Sequence, residues 1–66
     1  MDFKVKFVQI TFVDGSNIRD QRDEWSEDFT GDNMPAAEMF AQNRKKELID
    51  KATQQGQRVM IEFEIM

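Results

Sequence analysis

Apolar residues crowd the two ends of the chain and thin out between them, and their spacing changes character along the way. From Phe3 to Val13, β-branched and aromatic types dominate, with Phe3, Val5, Phe7 and Val13 at odd positions and Val8, Ile10 and Phe12 at even ones. A stretch that is apolar on both faces at period two reads as a central strand. From Arg58 to Met66 the alternation is cleaner: Val59, Ile61, Phe63 and Ile65 share one face, and Arg58, Met60, Glu62, Glu64 and Met66 share the other. Between these strands, Ala37, Phe40, Ala41, Leu48 and Ala52 recur at three- and four-residue spacing. That is the apolar stripe of a helix, here from Pro35 to about Gln55, with Pro35 at the first turn and Gly56 as the stop.

Asp14-Gly15 directly follows the first strand and carries the signature of a two-residue hairpin turn, since both residue types tolerate positive φ. In the simplest register Val13 faces Ser16, Ile18 lies beside Thr11, and Asp23 comes opposite Lys6. Past Arg19 the returning arm is too polar to read as a long strand, so a short edge or an extended acidic loop is expected. The two end strands pair antiparallel with positions summing to 68. Phe3 then meets Ile65, Val5 meets Phe63 and Phe7 meets Ile61, while Lys4 meets Glu64, Lys6 meets Glu62 and Val8 meets Met60. Each pair is apolar with apolar or opposite in charge, as cross-strand energetics favour. The reading is a single α+β domain over residues 1–66, of type ββαβ. Its three-stranded antiparallel sheet has order 2-1-3, with one helix packed on the odd-numbered face.

Composition narrows the chemistry. The 66 residues are 39% apolar, with six Phe, five Met and a single Leu, so the core is aromatic and thioether-rich. A chain of this length hides only about 60% of its unfolded surface. There is no Cys for a disulfide or soft metal site and no His for neutral-pH acid-base work, which leaves oligomerisation or a partner as the available reinforcement. No apolar run approaches the roughly 20 residues of a membrane span. The expectation is a soluble cytoplasmic protein with no membrane association, no cofactor and no metal. Enzyme chemistry would have to rest on carboxylates or lysine alone, and the candidate calcium loops at Asp14 and Asp28 miss the ligand spacing.

Charge is unevenly distributed: the chain carries −4, and Asp14 to Asn33 alone holds seven acids against Arg19 and Arg22. Asp20, Asp23, Glu24, Trp25, Glu27, Asp28 and Asp32 therefore form the candidate partner-binding set. Their carboxylates would steer the chain towards a basic surface, and Trp25 would serve as an aromatic anchor. A plainer reading has Trp25 and Phe29 folding down to close the core beneath a solvated acidic loop. On the other face of the sheet, Val8, Ile10, Phe12 and Met60 form a candidate self-association patch, unless Trp25 and Phe29 wrap over it. The last strand, lacking Pro and Lys, is a poorly protected edge. Arg44 falls within the helix stripe, either snorkelling past the sheet edge or pairing with a carboxylate of the acidic segment. With Lys45 and Lys46 it is too small a patch for direct nucleic-acid binding. The expected function is a small acidic protein-binding module, an inhibitor or adaptor occupying a larger and possibly nucleic-acid-handling partner, by nucleic-acid mimicry in its most specific form. Small size and acidity are also what viral and mobile-element proteins acting on a host would show. The alternative is a structural homodimerisation domain.

Overall fold

The computed structural model describes residues 1–13 and 18–66. Four elements follow in order: β1 (Asp2–Phe12), β2 (Arg19–Thr30), α1 (Met34–Gln54) and β3 (Val59–Ile65). They form a three-stranded antiparallel sheet of order β2-β1-β3 with the helix packed on one face, the ββαβ arrangement expected from the pattern.

The helix is bounded by local chemistry at both ends. Asn33 is the N-cap, its side-chain oxygen accepting from the Ala36 N–H at 2.9 Å, and Pro35 sits in the first turn where no intrahelical donor is needed. At the far end Gly56 takes φ +73°. The Gln57 N–H reaches the Ala52 carbonyl at 2.9 Å and the Gly56 N–H reaches that of Thr53 at 3.0 Å, a Schellman closure that turns the chain directly into β3.

Val5, Phe7, Ala41 and Ile61 form the buried centre, with Trp25, Phe40, Leu48, Ile49, Val59, Phe63 and Ile65 packed around them. Alanine at 37, 41 and 52 lets the helix backbone approach the sheet closely. Across the sheet Trp25, Phe7 and Phe63 stand side by side on the three strands. Ring centroids are 5.6 Å apart for Trp25 and Phe7 and 6.3 Å for Phe7 and Phe63. Nearer the helix N-terminus, Phe29 lies between Phe3 and Phe40 at 6.4 and 4.8 Å. These aromatic contacts contribute beyond the area they bury.

Three expectations are corrected. The returning arm is not a loop or a short edge: β2 is a twelve-residue strand. Its register is also different, with Phe7 opposite Trp25, Phe3 opposite Phe29, and Asp23 opposite Gln9 instead of Lys6. The Val13 N–H bonds the Ile18 carbonyl at 2.9 Å, and the expected pairing of Val13 with Ser16 lies outside the described residues. The change of register is a shift of three residues, and an odd shift exchanges the two faces of a strand. It places Trp25 and Phe29 on the helix side, against the core and away from the open face. The Asp14-Gly15 turn itself lies outside the described residues. A register irregularity between Thr11 and Phe12, with Phe12 opposite Arg19, leaves Asp20 as the extra residue of a bulge. Finally, β1 and β3 pair two residues along from the expected alignment, with Val5 opposite Ile65, Lys6 opposite Glu64 and Val8 opposite Glu62. An even shift keeps every side chain on its expected face. It also brings the Arg58 guanidinium over the Phe12 ring, at 5.4 Å from its centroid.

Candidate functional site

Because side chains alternate along a strand, β2 divides the acidic segment between two environments. Asp23, Trp25 and Glu27 point to the helix side and are each half-buried. The Trp25 indole N–H donates to Glu27 at 2.8 Å, and the Arg44 Nε donates to both Glu27 oxygens at 3.0 and 3.1 Å. Arg44 Nη1 also donates to Glu47 at 3.3 Å. The hydrogen bond to Glu27 is the chief cause of a raised Arg44 pKa, acting against partial burial. Asp23 accepts from the Gln21 amide at 3.0 and 3.1 Å. All three residues are thus engaged within the chain, and Trp25 is part of the aromatic core.

Glu24 and Asp28 point to the other, open face of the sheet. Glu24 accepts from Arg22 at 2.8 Å and lies 3.6 Å from the Lys6 ammonium. The hydrogen bond from Arg22, then its charge and that of Lys6, hold the Glu24 carboxyl below its ordinary value. Glu62 and Glu64 occupy the same face on β3, next to Val8 and Lys6 of the central strand. On the open face β2 carries Arg22, Glu24 and Asp28, β3 carries Glu62 and Glu64, and Lys4 and Lys6 lie between them, around a shallow groove lined by Lys6, Val8, Arg22, Glu24, Glu62 and Glu64. At its end, Thr30 donates to Asp2 at 2.8 Å. Asp20 sits at the bulge, and Asp32 is exposed beyond the end of β2, apart from these carboxylates.

The apolar end of the open face is more covered than the sequence suggests. Ile10 is 8% exposed beneath Arg22 and Met60, and Val8 and Phe12 are half-buried, leaving Met60 as its exposed member.

A further surface was missed by sequence reasoning. Between the N-terminal half of α1 and β3 runs an apolar groove lined by Met34, Pro35, Glu38, Met39, Gln42, Phe63 and Ile65. Met39 is 67% exposed and Met34 46%. Met34 extends the Ala37–Ala41–Leu48 stripe by one turn and Met39 stands on the opposite side of the helix, so the available signal was a large apolar residue at each of these two positions. Among the described residues, no group of three acidic side chains gathers in a metal-holding arrangement, and no helix is long and apolar enough to cross a membrane. Comparison with protein-family models, with curated proteins and with solved structures finds no match to this chain.

Proposed function

We propose that the chain is a small acidic protein-binding module, an inhibitor or adaptor, that occupies a basic surface of a larger protein with the open face of its sheet. The observation that carries this reading is the placement of Glu24 and Asp28 on one outer strand and Glu62 and Glu64 on the other, all exposed on one flat face. Such rows raise association rates towards a basic partner and set orientation more than they add affinity. Lys4 and Lys6 on the middle strand, Arg22 beside Glu24 and Arg58 over Phe12 break up the negative field of this face. That arrangement suits a protein surface of mixed charge better than a groove shaped for a continuous phosphate chain, so nucleic-acid mimicry is the narrower form of the proposal. The alternative reading, self-assembly through Val8, Ile10, Phe12 and Met60, draws less support from that patch because little of it is open.

The test is recovery of the tagged chain from its native cells at low and high salt, beside a variant carrying Glu24→Lys, Asp28→Lys, Glu62→Lys and Glu64→Lys. A basic partner held by the parent, released by salt and not captured by a variant of unchanged far-UV circular dichroism is the expected result. Equal capture by the folded variant would sink the reading.

A further inference from the structure

We infer that β3 pairs antiparallel with β3 of a second copy of this chain, about a twofold axis at Ile61, to make one six-stranded sheet. This goes beyond the proposed function, because it uses a different surface.

The sheet has two outer edges, and they are not equivalent. The Gly31 N–H bonds the Met1 carbonyl at 3.0 Å, so odd-numbered residues of β2 bond inward to β1 and its even-numbered residues turn their backbone groups outward. Along that edge stand Arg22, Glu24 and Asp28, with Asp20 in a bulge, the features that discourage strand addition. On the opposite side the Phe12 N–H bonds the Arg58 carbonyl at 3.0 Å and the Met66 N–H bonds the Lys4 carbonyl at 2.8 Å. Even-numbered residues of β3 therefore bond inward, and the outward N–H and C=O groups belong to Val59, Ile61, Phe63 and Ile65. The side chains of these four residues share the helix face, where Ile61 is buried and Val59, Phe63 and Ile65 are half-buried, and the methionine-lined groove beside α1 borders them.

Charge selects the occupant and the register. Antiparallel pairing of β3 with itself in full overlap sets Glu62 against Glu62 of the second copy, and an axis at Phe63 sets Glu62 against Glu64 twice. Like charges directly opposite are destabilising. Moving the axis to Ile61 is the smallest slide that removes every such clash while keeping the outward backbone groups face to face. Arg58 then meets Glu64 of the second copy, Met60 meets Glu62, and Ile61 meets itself. On the helix side, Val59 of the second copy comes beside Phe63, at the mouth of the groove. The opposite-charge pair of Arg58 with Glu64 is made twice across the axis, and Met60 with Glu62 repeats the apolar-with-carboxylate pairing that Val8 makes with Glu62 between β1 and β3. A twofold axis perpendicular to the sheet leaves both open faces on the same side, so the acidic rows are doubled on one surface.

Sedimentation equilibrium up to millimolar concentration and cross-linking test the inference together. The expected mass is twice 7.8 kDa. It should fall to the single value in Arg58→Glu or Glu64→Arg alone, and return to the doubled value in the chain carrying both. Residues 60 and 62 of opposing copies would form non-hydrogen-bonded pairs with Cα atoms about 4.5 Å apart, within disulfide reach. Since the chain has no Cys, oxidising a mixture of Met60→Cys and Glu62→Cys chains should give a covalent heterodimer that neither gives alone. Both positions are exposed, so these variants keep the test informative should a charge variant fail to fold. A single-chain mass at every concentration overturns the inference, as does self-cross-linking of Glu62→Cys or a doubled mass in both single charge variants. Binding of an unrelated extended peptide to a chain that stays monomeric would assign the edge to another protein's strand and likewise overturn it.

Discussion

Arg44 does for β2 what apolar side chains do for the rest of the sheet. Its guanidinium, half-exposed, spans from the helix to Glu27, and Glu27 in turn receives the Trp25 N–H. A carboxylate on the inner side of a strand is stable there because its charge is met by a cation and its oxygens by three donated bonds. Arg44→Ala should lower stability by about 1 kcal/mol, the size of a partly exposed charged contact, read from the urea midpoint. Glu24 makes a different prediction. Its folded-state pKa lies below its unfolded value, so the stability it contributes is complete above about pH 4.5 and is lost as pH falls below that. The Glu24→Gln variant should unfold at lower urea than the parent near neutral pH, and the gap should narrow as the pH is taken down through the lowered folded-state pKa. A gap that persists in acid would mean the carboxylate's charge is not what matters.

At the scale of elements, β1, α1 and β3 were legible because each places apolar residues at the period of its own geometry, and helix capping by Pro35 and Gly56 marked the ends. The order of the sheet followed from the same alternation. β2 was not legible, and the reason is specific. Its inner side reads Asp23, Trp25, Glu27, Phe29, so that only two of four positions carry the apolar signal and the other two are satisfied by Gln21 and Arg44, which no local pattern reveals. The hairpin register was misjudged because it rested on a two-residue turn, whereas Val13 bonds Ile18. Of the four carboxylates on the open face, Glu24 and Asp28 belong to the acidic set read from the sequence and Glu62 and Glu64 do not, and the division of that set between two faces was not readable, since it depends on register. The inward packing of Trp25 has a measurable consequence. Trp25→Ala should cost roughly 2–3 kcal/mol, less than for a fully buried aromatic, whereas Ser26→Ala on the open face should stay within about 0.5 kcal/mol. Equal effects in thermal unfolding would contradict the assignment of faces.

As a whole the molecule is a thin slab, 41 × 19 × 13 Å, whose long axis is set by strands of eleven and twelve residues. Only one side of the sheet is roofed, and the central strand is the first one in the chain while one of its two neighbours is the last. That order governs how the fold is reached during synthesis. When β1, β2 and α1 have been made, Phe7 still lacks Phe63 beside it, Gln9 lacks its neighbour Ile61, and the outward backbone groups of every second residue of β1 have no partner. The nascent chain must therefore hold an incomplete sheet with an open apolar edge until β3 clears the ribosome, and the structure closes in one late, long-range step.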